Sequence, residues 1–260
     1  IAIPIMFLAA FGLMFSDQPE GIKKQNGTFP QRNLSNPDQI QAISSKQLNA
    51  NQISTWFRTN GSFNRDPSTN NAGFEWPITT GKTARYASGL WLGCIVGNDT
   101  LTAVAAFSYD YTNGYVDAQG NAQGSEDPLY RIYKITEGNT TSEDYINWPV
   151  NQGAYTDSLG QPLNLGAQTM FYVYTDAYPH SSGSTSLQSL KAQILQTNWA
   201  YNVNGPLGNI VFQEYRIINK SSNVWTQTYL AQWTDDDLGN GTDDKIGVDT
   251  ALDLGYTYNS

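Results

Sequence analysis

From Ile53 onward the chain consists of short apolar and aromatic runs separated by clusters of Gly, Asn, Asp and Ser, and this pattern limits its fold more than any other feature. Runs of this length between turn residues are typical of antiparallel β proteins. No Gly-rich loop opens a helix and no long helical period separates the runs, which excludes doubly wound nucleotide-binding folds. Strands are predicted at residues 84–96, 100–111, 129–136, 168–175, 192–201, 209–219 and 224–234.

So many strands in about two hundred residues predict an all-β fold, an antiparallel β-sandwich of two packed sheets with long loops. A jelly-roll-like sandwich is one form, and two smaller sandwiches divided near residues 160–166 are the other. Gly97-Asn98-Asp99 predicts a hairpin between the first two strands, and residues 220–223 predict a second hairpin between the last two. In the strand at 192–201, Gln196 and Asn198 lie on the face opposite Trp199.

The first fifteen residues are uncharged and mostly apolar. A membrane-spanning helix needs about 20 apolar residues and a signal-peptide core about 7–15, so residues 1–16 are predicted to be the remnant of a signal peptide, without a stable membrane span. A retained anchor and a buried N-terminal element are the alternatives. Residues 17–52 are predicted to be a polar linker that could hold one short helix, and residues 53–260 form the β-sandwich region, which is expected to continue beyond residue 260.

Charge is unevenly distributed along the chain. The net charge is -9, from 14 basic and 23 acidic residues, but residues 235–253 alone hold seven Asp and one Lys. This composition excludes nucleic acid as a main partner, because phosphate binding needs a surplus of Lys and Arg. The single cysteine, Cys94, excludes an intrachain disulfide, and it is expected to be buried and inert. The single histidine, His180, is predicted to be a loop residue.

The acidic loop after the last predicted strand is the strongest chemical signal in the sequence. Closely spaced carboxylates repel one another unless a cation joins them, and Lys245 is the only basic residue there. Ca²⁺ accepts carboxylate, amide and backbone oxygens in a flexible geometry, whereas the spacing does not match an EF-hand. The alternative is a solvated turn whose side chains cap backbone amides. The predicted Ca²⁺ ligands are Asp235, Asp237, Asn240, Asp243, Asp244 and Asp249.

Two other groups of residues, the aromatic side chains and the carboxylates outside the acidic loop, could have a functional role. Tryptophans and tyrosines could stack on sugar rings, but core and inter-sheet packing is the expected role of most of them. Carboxylates could serve a glycosidase, which needs two of them at a defined separation across a cleft. Nothing in their spacing selects a pair, so no catalytic residue is assigned among Glu75, Asp110, Asp117, Glu126 and Glu214.

Four stretches of sequence carry a resemblance to a known group of proteins. They are Phe74-Glu75-Trp76-Pro77, residues 84–93, residues 148–154, and residues 233–249 followed by 254–259. With these motifs, residues 53–260 resemble the N-terminal region of large secreted proteins of the Bacteroidetes/Ignavibacteria lineage that carry a C-terminal sorting domain for type IX secretion. The resemblance implies export. It implies no biochemical activity.

Together these observations predict an extracellular or outer-cell-surface protein with a structural, adhesive or binding role and a calcium-stabilised acidic loop. Its expected partner is a glycan or another surface protein, and an enzymatic role is not favoured. The alternative functions are a secreted hydrolase, with catalytic residues partly beyond residue 260, and a carbohydrate-binding module that acts on polysaccharide.

Overall fold

The computed structural model describes residues 43–180 and 188–259. The predicted signal-peptide remnant and most of the predicted linker lie outside these residues. Within them the chain forms one four-residue α-helix, α1 (Glu143–Ile146), two short 3-10 segments and seventeen strands. In chain order the strands are β1 (Ser45–Leu48), β2 (Thr55–Arg58), β3 (Ser62–Phe63), β4 (Phe74–Glu75), β5 (Thr83–Arg85), β6 (Ala87–Val96), β7 (Asp99–Val104), β8 (Thr112–Asn113), β9 (Tyr115–Val116), β10 (Ala122–Gln123), β11 (Tyr133–Thr136), β12 (Gln168–Thr175), β13 (Ala192–Ala200), β14 (Val211–Asn219), β15 (Trp225–Asp235), β16 (Asp244–Asp249) and β17 (Leu254–Asn259).

Two larger antiparallel sheets contain most of these strands. The first sheet has the order β1-β2-β3-β6-β15, with β7 paired to β6 beside β3. The second has the order β11-β12-β13-β14, with β8 paired to β12 beside β11. Three two-stranded pairs, β4-β5, β9-β10 and β16-β17, complete the described structure. The prediction of an all-β antiparallel sandwich is confirmed.

The two sheets pack on each other through one shared core. Leu90 and Leu92 of β6 lie in the same buried cluster as Met170, Tyr172 and Tyr174 of β12. This cluster therefore joins residues from both sides of the 160–166 segment, where a division into two sandwiches was the alternative. The chain also crosses that point to complete the first sheet, since β15 pairs with β6.

The second sheet is covered on its other face as well. Phe171 and Val173 of β12 point away from the first sheet and pack against Trp148 and Ala154, which belong to the long connection between β11 and β12. A strand buried on both faces needs a nearly continuous apolar sequence, and residues 168–175 provide one. The central strand thus lies between two apolar layers.

The hairpin predicted at Gly97 is present. β6 and β7 pair from Val96 and Asp99 onward, which leaves a two-residue turn with Gly97 at a φ of 62°. A positive φ at the first central residue is the feature of a type II′ turn, and glycine adopts it without steric cost. Here the local sequence specifies the pairing.

Two expectations about the chain's connections are wrong. Residues 220–223 do not form a hairpin, because β14 pairs with β13 in the second sheet and β15 pairs with β6 in the first. The segment is a crossing between sheets, and Trp225 packs against the shared core just beyond it. The polar linker also ends earlier than residue 52, since Ser45–Leu48 is β1 and Leu48 is fully buried.

Buried amides and tyrosine hydroxyls are paired inside the core. Tyr174 donates its hydroxyl hydrogen to Gln196 Oε1 at 2.8 Å, and the Gln196 amide donates to Asn198 Oδ1 at 3.0 Å. Asn198 donates to the Tyr172 hydroxyl at 3.3 Å. Burial raises the pKa values of Tyr172 and Tyr174 well above the ordinary value, so both stay neutral.

Replacing Gln196 with alanine should destabilise the fold by about 1–3 kcal/mol, because the Tyr174 hydroxyl would lose its buried acceptor. Urea unfolding followed by fluorescence measures the change. Gln52→Ala at an exposed position is the matched control and should change stability by less than about 0.5 kcal/mol. Equal losses in the two variants would contradict the role given to the buried network.

A charged clamp closes one end of the sandwich. Asp144 in α1 is ion-paired with Lys46 of β1 and with Arg131, and it accepts the backbone N–H of Lys134 in β11 at 2.8 Å. Burial alone would raise the pKa of Asp144. The hydrogen bonds from Lys46, Arg131 and the Lys134 amide outweigh that effect and lower it. α1 is thereby tied to an edge strand of each sheet.

This clamp should lose its stabilising effect in acid. Because the pKa of Asp144 is lower in the folded protein than in the unfolded chain, its contribution is complete above about pH 4 and is lost as the pH falls below that value. Asp144→Asn should cost about 2–3 kcal/mol at pH 7. The difference between the variant and the unchanged protein should shrink below pH 4 in denaturant titrations. A difference that stays constant down to pH 2 would contradict the assignment.

Candidate functional site

The acidic loop connects the first sheet to a separate two-stranded hairpin. β15 ends at Asp235, β16 begins at Asp244, and β16 pairs only with β17 among the described strands. The loop folds back on itself closely at Gly241, where an added Cβ atom would lie 2.2 Å from Asp237 Oδ1. Glycine lets the Asp237 carboxylate lie against the backbone there, and a larger residue would displace that carboxylate.

One carboxylate of the loop, that of Asp236, is paired with a positive charge of the protein. Asp236 forms an ion pair with Arg85 of β5 and accepts a hydrogen bond from the Thr257 hydroxyl of β17, and both charged side chains are nearly buried. Burial lowers the pKa of Arg85, and the negative charge of Asp236 opposes that shift. The pair therefore anchors both the loop and the terminal hairpin to the sandwich.

Three of the predicted calcium ligands lie close enough to influence one another. The pKa of Asp235 is raised, first by burial and then by the negative charges of Asp237, Asp236 and Asp244. Asp244 accepts the Leu238 N–H through Oδ2 at 3.1 Å. Its Oδ1 atom and the Oδ1 atom of Asp243 are buried and have no hydrogen-bond partner. The loop thus holds repelling carboxylates and two buried acceptor oxygens that lack a donor.

The remaining two predicted ligands, Asn240 and Asp249, accept hydrogen bonds from backbone N–H groups. Asn240 Oδ1 accepts hydrogen bonds from the Thr242 N–H and hydroxyl, at 3.3 and 2.9 Å. Asp249 stands at the far end of β16, about 17 Å along the strand from Asp244, and its Oδ1 accepts the Ala251 N–H at 2.9 Å. Asp249 therefore caps the turn of the hairpin and does not approach the loop carboxylates.

Across residues 43–180 and 188–259, no three Asp, Glu, His or Cys side chains are arranged as a ready-made metal site. The loop carboxylates lie near one another without meeting at one point. Calcium binding here would draw them together and would recruit backbone carbonyl oxygens. The crowding of negative charge favours a cation in this loop, whereas the present positions of the carboxylates do not form a site.

The carboxylates considered for hydrolysis hold separate structural positions. Glu75 accepts the Gly81 N–H at 2.7 Å, Asp110 accepts the Val104 N–H at 2.9 Å, and Asp117 accepts the amides of its own turn. Glu214 accepts the Tyr155 hydroxyl at 2.6 Å. Burial, and then this hydrogen bond, raise the pKa of Tyr155 to about 12. Glu126 is exposed. Because these carboxylates have separate structural roles, their spacing in the sequence does not mark a catalytic pair.

His180 has a structural environment that the sequence did not indicate. Its side chain has no exposed surface, and its Nδ1 and Nε2 atoms lie 3.9 Å from Asp110 Oδ1 and 3.5 Å from Asp176 Oδ2. Asp176 also accepts the N–H groups of Leu190 and Ala192 at 2.6 and 2.7 Å. The imidazole therefore lies between two aspartates that hold backbone in place. Its position in a polar Pro-His-Ser-Ser segment gave no sign of burial.

Cys94 is buried, as expected, in the shared core. Burial, and to a smaller extent the negative charge of nearby Asp176, raises the pKa of its thiol to about 11. A thiol in this state is protonated near neutral pH and is a poor nucleophile.

The outer face of the first sheet carries aromatic side chains that face solvent. Trp91 is 38% exposed, Phe107 is 58% exposed and Tyr229 is 72% exposed. The Trp91 and Trp233 rings are parallel with centroids 6.4 Å apart, and the Phe107 ring meets Trp233 edge-on at 5.1 Å. We call Trp91, Phe107, Tyr229 and Trp233 the aromatic platform. Tyr86 flanks it, 6.3 Å from Phe107.

Packing explains many of the aromatic residues, as the sequence predicted, but not this group. Phe57, Phe63 and Phe74 are buried, and Trp148 packs against the second sheet. Alternation along β6 could have indicated that Trp91 lies opposite Leu90 and Leu92. Only the pairing of β15 with β6 shows that Tyr229 and Trp233 share its face.

Comparison of the chain with protein-family models, curated proteins and solved structures finds no match. Within the described residues, no helix has the length and apolar character needed to cross a membrane.

Removing the Asp236 carboxylate should be strongly destabilising, because the nearly buried charge of Arg85 would lose the opposite charge of Asp236. We expect Asp236→Ala to lower the unfolding free energy by about 3–5 kcal/mol. Asp99→Ala, at an exposed hairpin position, removes the same charge from the surface and should change stability little. Chemical denaturation of both variants measures this contrast, and similar midpoints would argue against a structural role for the ion pair.

Proposed function

We propose that this chain is a secreted or cell-surface β-sandwich module with a structural, adhesive or binding role, and that Ca²⁺ stabilises its acidic loop. The observation that carries the proposal is the crowding of carboxylates in the loop. Buried carboxylate oxygens of Asp243 and Asp244 lack donors, and burial together with the negative charges of the neighbouring aspartates raises the pKa of Asp235.

A cation relieves both conditions at once. It replaces carboxylate repulsion with attraction, and it supplies a partner for the oxygens that have none. Ca²⁺ suits this role because it takes six to eight oxygen ligands at flexible geometry, so carboxylates that do not yet meet at one point can adjust around it. The candidate ligands are Asp235, Asp237, Asp243 and Asp244, with backbone carbonyls of the loop. Asn240 and Asp249 are not among the candidate ligands, because they cap turns.

The extracellular location is supported by composition. Charged residues make up 14% of the chain, and much of its polarity comes from Asn, Gln, Ser and Thr. The apolar first fifteen residues and the resemblance to exported proteins support the same compartment. Weak sites of extracellular modules bind calcium with dissociation constants of about 10⁻⁴–10⁻³ M, so a loop of this kind would be filled where calcium is millimolar.

A binding or structural role suits the site better than hydrolysis. The five carboxylates named from the sequence each make structural contacts or lie exposed on different parts of the fold. Two surface features offer groups suited to a ligand, namely the buried oxygens without donors in the acidic loop and the exposed rings of the aromatic platform. The loop favours a calcium-stabilised module, and the platform favours ligand binding.

Calcium should raise the melting temperature of the protein. At a concentration about ten times the dissociation constant, binding contributes about 1.4 kcal/mol, which corresponds to about 3–6 °C for a domain of this size. Differential scanning fluorimetry with CaCl₂ against EDTA measures the shift. MgCl₂ should give a smaller one, because Mg²⁺ releases its water ligands reluctantly and requires octahedral geometry.

The double substitution of Asp237 and Asp243 by alanine should abolish the calcium-dependent shift. Asp249→Ala is the matched control, since Asp249 carries the same charge in the same acidic segment but lies at the far end of β16. The control should keep the full shift. Identical melting curves with calcium and with EDTA for the unchanged protein would overturn the proposal.

A further inference from the structure

We propose that the aromatic platform is a binding site for neutral polysaccharide, in which the faces of sugar rings stack on Trp91, Phe107, Tyr229 and Trp233. This inference rests on the proposed role as an extracellular binding module and names its ligand class. It requires that the rings be open to solvent, that part of the platform be held in place, and that the surroundings favour a neutral ligand. The geometry meets each of these requirements.

The rings are accessible because small residues lie opposite them in the sheet. Tyr229 pairs with Gly93, Trp91 pairs with Ala231, and Trp233 pairs with Gly89. Large side chains at these partner positions would cover the rings. Tyr229 and Trp233 are four residues apart on one face of β15, so the platform extends about 13 Å along the strand. That length lets an extended polysaccharide chain lie across several rings.

Trp91 and the flanking Tyr86 are held in position before any ligand binds. The Trp91 indole donates its Nε1 hydrogen to the Ala105 carbonyl at 3.1 Å. That carbonyl comes so near to β6 that a Cβ atom on Gly89 would lie 1.9 Å from it. At the flank, the Tyr86 hydroxyl donates to the Asn70 carbonyl at 2.9 Å. Binding on a surface with fixed rings loses little side-chain entropy.

The surroundings of the platform favour a neutral ligand. Thr100 and Thr226 lie opposite Ile95 on either side, at the end of the sheet beyond Tyr229. The Thr226 hydroxyl donates to the Ile95 carbonyl at 3.2 Å and can still accept from a sugar hydroxyl, and Thr100 is exposed. At the other end, β15 runs from Trp233 into Asp235 and the acidic loop. These carboxylates repel anionic polymers. The negative faces of aromatic rings attract the weakly positive C–H groups on the face of a sugar ring.

A second copy of the chain fits this surface less well. Trp91, Phe107 and Tyr229 together expose roughly 300–400 Å², taking about 200 Å² for a whole aromatic side chain. A stable protein interface buries about 800 Å² on each partner, so the platform is too small to hold a dimer alone. Proline-rich peptides dock in aromatic-lined grooves, whereas this platform lies on an open sheet face.

Affinity electrophoresis on gels with dissolved polysaccharide tests the proposal. The probes are xylan, galactomannan, soluble starch and hydroxyethyl cellulose as neutral polymers, with alginate as an anionic control. At least one neutral polymer should retard the protein, and alginate should not. Tyr229→Ala and Phe107→Ala remove the two most exposed rings of the platform, and each should weaken binding about tenfold. Tyr258→Ala, at an exposed tyrosine of the terminal hairpin, is the matched control and should bind normally.

Several results would overturn the proposal. They are no retardation by any neutral polymer, equal retardation of the platform variants and the control, and stronger retardation by alginate. Binding of a polyproline peptide that Tyr229→Ala removes would assign the platform to peptide ligands instead. Sedimentation showing a dimer that Tyr229→Ala separates would assign it to self-association. The melting shift with calcium is measured separately, so failure of polysaccharide binding leaves the test of the calcium loop unaffected.

Discussion

The burial of β12 on both of its faces is the constraint on which the rest of the structure depends. Its even-numbered side chains, Met170, Tyr172 and Tyr174, fill the space between the two sheets, while Phe171 and Val173 need a cover on the opposite side. The long connection between β11 and β12 supplies that cover through Trp148 and Ala154. The fold therefore has two sheets and an outer layer of loop and short helix that covers Phe171, Val173 and Leu195 of the second sheet.

The amide and tyrosine network inside this core is neutral, whereas the ion pairs of Asp144 and Asp236 hold edges together. Tyrosine hydroxyls and the amides of Gln196 and Asn198 satisfy one another between the sheets. Ion pairs lie instead at the periphery, where Asp144 joins α1 to the two sheets and Asp236 ties the acidic loop to β5. This division follows from desolvation, because a buried neutral amide needs only hydrogen bonds whereas a buried charge also needs a counter-charge.

Strand β15 places both candidate functional features side by side. Its outward residues run from Tyr229 through Trp233 to Asp235, so the aromatic platform passes directly into the acidic loop. A loop held rigid by a cation would also fix the end of this strand. The pairing of β15 with β6, and not with its chain neighbour β14, creates this arrangement. Had residues 220–223 formed a hairpin, Tyr229 and Trp233 would have joined the second sheet, away from Trp91.

The sequence by itself determined the all-β class, the positions of most strands, the turn at Gly97 and the concentration of acid in one loop, because these depend on local patterns of apolarity, backbone freedom and charge. Only the tertiary structure decided that β15 joins the first sheet, that Gln196 and Asn198 lie inside, that His180 is buried, and that Asp249 stays apart from Asp235 and Asp237. Each of these depends on which distant segments pair and which face a neighbour covers. Local spacing carries no information about a partner that lies a hundred residues away along the chain.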